Sequence, residues 1–263
     1  MTTISELVMQ LASDDQVQAF HARRTLDQQI YQASDPRKMG QLSALADELA
    51  AELVAAADPS TVKPPMTNVP DDVSAAFTPK HSAKVRRVLC QLLAPIATDT
   101  QVPALATALV DLEVRETVRG VLGQIPTLVS TQALLRAVSQ VGPEFRVGVL
   151  NSLGLERWRE AMATLMRMAA DPDLEIRLAA LEGLANFPEV DNDKHFVAAT
   201  QLASPRYRAR AFKARIRFAE TLRRSGEPEN AAVIYQSIAS AMPVGPWTIA
   251  ARIGLEKSKA QAG

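Results

Sequence analysis

Apolar residues recur along this chain at three- and four-residue intervals, in short segments separated by proline or by clusters of Asp, Ser and Gly. That spacing lines one side of an α-helix, so the pattern predicts a succession of short amphipathic helices and no sheet. Pro103, Pro126, Pro143, Pro172, Pro188, Pro205, Pro228, Pro243 and Pro246 stand between the segments. A residue without an N–H and with a fixed φ suits helix starts and turns there. Near the amino terminus, Thr3 and Glu6 have capping-box spacing, Asp14 or Asp15 can cap a second helix, and the first two helices form a hairpin. A third helix follows in QLSALADELAAELVAAA, with its stripe at Leu42, Leu45, Leu49, Leu53 and Ala56. Periodicity then stops from Asp58 to Ser82, where five of the sixteen prolines fall between Pro59 and Pro79, predicting a long loop.

Beyond that loop the chain repeats itself. Leu122-Gly123, Leu153-Gly154 and Leu184-Ala185 are 31 residues apart each time, and Arg115, Arg146 and Arg177 each stand eight residues before the small residue. Each unit reads as helix, turn, helix: TQALLRAVSQ, VGP, EFRVGVLNSLG, and then REAMATLMRMAA, DPD, LEIRLAALEGLANF. An earlier unit, SAKVRRVLCQLLAPIATDTQVPAL, has a looser register. Neither helix of a pair buries its apolar face alone, so consecutive pairs must stack around a shared core. The expected fold class is all-α, a right-handed α-solenoid.

DPDLEIRLAALEGLANF, with Asp171 six residues before Arg177 and small residues at Ala179, Ala180 and Ala185, resembles the second half of a HEAT repeat. With VPALATALVDLEVRETVRGVLGQIP, RVGVLNSLG and FHARRTLDQQI, the resemblance to bacterial HEAT-repeat proteins extends from Ser5 to Pro188. It implies an Asp-to-Arg pairing that only one unit completes, because Leu109 and Gln140 stand at the positions equivalent to Asp171. From Ala219 the spacing Gly226, Ala231, Tyr235, Pro243 resembles one tetratricopeptide hairpin, followed by a capping helix from Pro246; Ile238 departs from that pattern. The expected organisation is a helical hairpin and helix over 1–57, the Pro-rich loop over 58–81, HEAT-like repeats over 82–203, and a tetratricopeptide-like hairpin with a terminal helix over 204–263.

Composition narrows the function. Twenty-nine basic and twenty-nine acidic residues cancel, so no bulk charge drives the molecule onto nucleic acid or a membrane. The single cysteine, Cys90, cannot form an internal disulfide and sits among Val88, Leu89, Leu92 and Leu93 as an inert core thiol. The start, MTTISELVMQ, has no basic leader, and no stretch reaches the roughly 18 apolar residues of a membrane span, so a cytoplasmic protein is expected. No HExxH, phosphate-cradling glycine loop or nucleophile elbow is present, and His21, His81 and His195 are scattered, read as surface or capping residues. No enzyme activity, metal or cofactor is expected.

Three surfaces remain for binding. The column Arg115, Arg146, Arg177 reads as stems against the core with charged tips tying neighbouring units, or else as a guanidinium groove for an acidic ligand. On the second helices Gly120, Asn151 and Glu182 also stack, flanked by Arg119 and Asn186. The HEAT resemblance implies that such residues line the concave surface, and a solvated face fits them equally. In SPRYRARAFKARIRFAETLRR, which Ser204 is placed to cap, Arg206, Arg210, Lys213, Arg217 and Arg224 fall within a strip about 60° wide. That strip faces solvent, an acidic protein, or nucleic acid or anionic lipid. The expected function is a scaffold or protein–protein interaction module whose partner, of acidic character at the basic helix, binds through the groove and that helix. The alternatives are a nucleic-acid-binding helical repeat, and a HEAT-like lyase or enzyme accessory protein.

Overall fold

The computed structural model describes residues 2–56, 79–241 and 245–262, so the predicted Pro-rich loop, apart from its last residues, and Pro243 lie outside the described residues. Among the described residues the chain is all-α, with fourteen α-helices and short 3-10 turns. The one extended pairing is an isolated bridge between Ala56 and Pro79. The chain divides within one helix into two compact units, 1–137 and 138–263.

In the first unit, α1 (Ile4–Leu11) opens on the capping box: the Glu6 amide donates to Thr3 Oγ1, and the Thr3 amide donates to Glu6 Oε2. Asp15, rather than Asp14, caps α2 (Gln16–Ala33) by accepting from Val17 and Gln18. The two pack as the expected hairpin, and α3 (Met39–Leu53) covers both, burying Leu45, Leu49 and Leu53 while Leu42 is half-buried and Ala56 exposed. Next come α4 (Ala83–Leu93), α5 (Val102–Ala108) and α6 (Arg115–Leu122), which pack as α3 on α4, α3 on α5, α4 on α6 and α5 on α6.

One histidine differs from expectation. His81 is buried, because Glu52 at the end of α3 reaches it, Oε2 to Nε2 at 2.6 Å. Burial alone would push the Glu52 carboxyl up, but bonds from His81, Ser5 and Lys80 outweigh it and hold the carboxyl below its ordinary range. Cys90 is fully buried, and desolvation together with Asp111 pushes its thiol up to about 12, which makes it inert.

The second unit begins in α7 (Leu128–Gln140) and continues through α8 (Pro143–Glu156), α9 (Arg159–Met168), α10 (Leu174–Leu184), α11 (Asp193–Thr200), α12 (Pro205–Arg224), α13 (Pro228–Ala241) and α14 (Pro246–Ala262). Prolines occupy the first helical position of α8, α12, α13 and α14, as their spacing predicts. Ser204 occupies the N-cap of α12 without a side-chain cap bond. Each second helix is tied to the end of the first by an arginine. Arg146 donates from Nε to the Val138 carbonyl at 2.8 Å and from Nη2 to that of Val141 at 2.9 Å, and Arg177 Nε donates to the Asp171 carbonyl at 2.9 Å. The Val138 carbonyl lies in the last turn of α7 and lacks an intrahelical partner, while Val141 and Asp171 lie in the turns that follow; a guanidinium supplies each with a charge-assisted bond. The Asp171–Arg177 pairing therefore runs through the backbone of Asp171, whose carboxylate accepts from the Asp173 amide instead. Gln140 replaces that aspartate in the preceding unit at no loss to the tie, since no carboxylate is used.

One further step of the period reaches Arg208, which donates to the Leu202 carbonyl at 3.3 Å, six residues back as for Arg177. The repeat thus continues into α12. The same step from Leu184 reaches Arg215, which is buried and forks onto the Asp193 carboxylate at 2.7 and 2.8 Å. Removing Asp193 would leave the buried Arg215 charge without its carboxylate, a loss that costs about 3–5 kcal/mol for a fully buried charge. Phe196 stacks on Phe218 at 4.8 Å, fastening α11 to α12.

Two glycines set how closely helices meet. A Cβ on Gly154 of α8 would stand 2.4 Å from the Gly183 Cα of α10, and one on Gly254 of α14 would stand 2.4 Å from the Tyr235 ring of α13. Gly154→Ala therefore forces two backbones apart and is expected to cost ~1–3 kcal/mol by overpacking. Gly120→Ala meets nothing within 4 Å and should be neutral or gain up to ~1 kcal/mol of helix propensity. Paired thermal melts check this contrast; equal midpoints for the two variants would contradict the close approach.

Candidate functional site: a polar pocket on the second helices

Within the second unit, α10 packs on both α8 and α12, so three second helices form one row. Gly154 and Gly183 bring the backbones of α8 and α10 into close contact, with Leu165 of α9 against Gly183. A pocket of about 220 Å³ opens at this level, lined by Asn151, Leu155, Glu182, Gly183, Asn186 and Arg217. Six lining residues come from two repeat positions and the glycine contact: Asn151 and Glu182 are 31 apart, as are Leu155, Asn186 and Arg217.

The pocket is held by a chain of hydrogen bonds. Asn186, itself buried, donates from Nδ2 to the Gly154 carbonyl at 2.8 Å across α8 and α10. Its Oδ1 accepts from Arg217 Nη2, which fixes that guanidinium at the rim. Thr221, one turn beyond, donates to the Ala185 carbonyl at 2.7 Å and holds α12 against the end of α10. Glu182 is engaged from the other side by Arg210, Nη2 to Oε1 at 3.1 Å. Arg210 also binds Glu175, Nη1 to Oε2 at 2.6 Å. The hydrogen bond from Arg210 holds the Glu175 carboxyl below its ordinary range, and the two glutamates raise Arg210 against the lowering effect of burial.

The basic strip of α12 is therefore not uniform. Arg210 is neutralised by Glu175 and Glu182; Arg206, largely exposed, has its nearest carboxylate oxygen on Glu175 at 3.9 Å; and Arg224 pairs with Glu220 at 2.7 Å. Lys213 is exposed and makes no ion pair among the described residues, and Arg217 bonds only the neutral amide of Asn186. Arg119 belongs to the first unit, where it pairs with Glu116 on its own helix at 2.9 Å. Of the residues singled out in the sequence, the structure brings Asn151, Glu182, Asn186 and Arg217 into one pocket, with Arg210 and Lys213 on the adjoining turns of α12. Sequence reasoning missed Leu155, which is 71% exposed although Leu150 and Leu153 on the same helix are buried. Its place in the 31-residue column with Asn186 and Arg217 is the signal that identifies it.

The site presents amides, a guanidinium, a carboxylate already engaged and an exposed leucine, without a nucleophile–base pair. No helix among the described residues is long and apolar enough to cross a membrane.

No protein-family model matches the chain, and no curated protein matches it. Among solved structures, one similar chain belongs to the complex of CpcE and CpcF of phycocyanin lyase from Nostoc sp. PCC7120, at 16% identity and a TM-score of 0.41, covering 98% of this chain and 95% of that one.

At the far end of α12, Arg223, Arg224 and the Tyr235 hydroxyl converge on Glu220. Arg223 foremost lowers the Glu220 carboxyl to about 2. A carboxylate whose folded pKa is depressed contributes stability above its unfolded value, and that contribution is lost as pH falls through about 2. Carboxyl-carbon NMR should show Glu220 titrating last among the glutamates as acid is added. Arg223→Gln should move its midpoint upward; an unmoved midpoint would contradict the cluster.

Proposed function

We propose that this protein is a non-catalytic recognition module of HEAT-like helical hairpins that binds a protein partner through the face formed by α8, α10 and α12. The observation that carries the reading is the pocket itself: an exposed leucine beside Asn186, fixed by its bond to the buried Gly154 carbonyl, and Arg217, which Asn186 in turn holds. Side chains that hold their bound geometry before binding lose little entropy on association, which favours a defined interface over an ordinary solvated surface. An exposed leucine flanked by amides and a guanidinium suits a polypeptide, which offers apolar side chains and backbone amides together. The basic strip supplies the acidic preference, centred on Lys213 and Arg217, the two strip cations without a carboxylate partner among the described residues.

A photo-crosslinking residue at Leu155, compared with one at the exposed Val197 on α11, tests the face in cells that express the protein. Position 155 is expected to yield discrete protein adducts that Asn151→Arg suppresses, and position 197 none. Adducts from 197 but not 155 would place recognition elsewhere and overturn the proposal.

A further inference from the structure

The geometry points to a specific ligand chemistry for this face: an acidic polypeptide segment in which a carboxylate side chain lies next to an apolar one. The inference rests on the recognition reading above and names its partner class. Arg217 is the centre of the argument. Its Nη2 is committed to Asn186 Oδ1, and Asn186 is committed in turn to the Gly154 carbonyl, so the guanidinium is anchored through a buried amide to the backbone of α8. Its charge has no carboxylate within ion-pair distance among the described residues. The remaining guanidinium nitrogens are left for an incoming oxygen pair, which a planar fork accepts well.

The neighbouring groups select the sign and the shape. Lys213 lies one helical turn before Arg217 on the same side of α12, exposed and unpaired among the described residues, so two cations flank the position where an anion would sit. Glu182 is the one carboxylate lining the pocket, and it would repel an anion were it not engaged by Arg210, which also holds Glu175. Arg210 thus offsets one of the two α10 carboxylate charges, and Lys213 and Arg217 together bring the rim to one net positive charge. Across the pocket stands Leu155, 71% exposed, giving the apolar half of the site. A single anion would satisfy only the cations, whereas a segment carrying Glu or Asp beside Leu or Ile satisfies both sides. Nucleic acid offers phosphates without the apolar side chain that Leu155 would cover.

Fluorescence anisotropy with a short labelled peptide alternating Glu and Leu, on the full chain, tests this. Matched Gln–Leu, Lys–Leu and Glu–Ser peptides and a labelled DNA duplex serve as comparisons. The Glu–Leu peptide is expected to bind at least about tenfold more tightly than each of the others. Arg217→Gln and Lys213→Gln should each weaken it about tenfold, while Arg224→Gln, on the same helix but paired with Glu220, leaves it unchanged. Leu155→Ser should remove the preference for Glu–Leu over Glu–Ser. All four side chains are substantially exposed or on the rim, and coincident thermal melts check that the variants fold. Equal loss on Arg224→Gln would mean diffuse charge attraction, tighter binding of the duplex would mean a nucleic-acid surface, and no binding of the Glu–Leu peptide would mean no carboxylate site; each overturns the inference. If position 155 still crosslinks a protein while the peptide fails, the recognition face stands and only the acidic-apolar assignment falls; if both fail, both fall.

Discussion

The second unit depends on how each helical hairpin is closed. A helix ends with carbonyls that have no intrahelical partner, and a short helix packed into a repeat cannot leave them all to water. Here the following helix brings an arginine back to the last turn or to the connection just past it: Arg146 to Val138 inside α7 and Val141 after it, Arg177 to Asp171 beyond α9, Arg208 to Leu202 beyond α11. Because the donor sits at a fixed place in the second helix, each tie also fixes where that helix starts relative to the end of the first. Repeating the tie every 31 residues repeats the register, which is what sets α8, α10 and α12 side by side with equivalent residues in columns.

The pocket is a consequence of that register. Columns of equivalent residues meet along the row, and the residues at two of them differ from unit to unit: Asn151, Glu182 and Lys213 in one, Leu155, Asn186 and Arg217 in the other. The core leucines between them hold steady at Leu153 and Leu184, until Arg215 takes the next place and is compensated by Asp193. Conserving the packing position while varying its neighbours lets one backbone pattern carry a ligand-specific surface. The Gly154–Gly183 contact adds the remaining ingredient, since it brings the α8 backbone near enough for Asn186 to bond Gly154 and thereby hold Arg217.

Much of this is legible in the sequence. Proline positions, the Thr3–Glu6 box and the 31-residue period locate the hairpins, because each is a local property of the backbone. The arginine column was visible too, with structural ties as one of its two readings, but the carbonyls it would reach were not, since the sequence suggests a carboxylate partner at Asp171 and the structure uses that residue's backbone. The pocket residues were found along two separate lines, as an inner column and as a basic strip, and only the fold joins them. The joining was missed because Ser204-Pro205 reads as the start of a different segment, which hides Arg208, Arg215 and Arg217 as the next members of their columns. His81 was misread because its burial depends on Glu52, 29 residues earlier, and no local pattern reports such a contact.

The measurement that bears most directly on the closing ties is hydrogen exchange on Arg177→Met, which keeps the apolar stem and removes the donors. If the tie to the Asp171 carbonyl closes the α9–α10 hairpin, amides from Ala169 to Arg177 should exchange about tenfold faster than in the parent protein, while those of α13 and α14 keep their protection. Unchanged exchange across the turn from Ala169 to Arg177 would contradict the account, and closure would then have to be assigned to core packing alone.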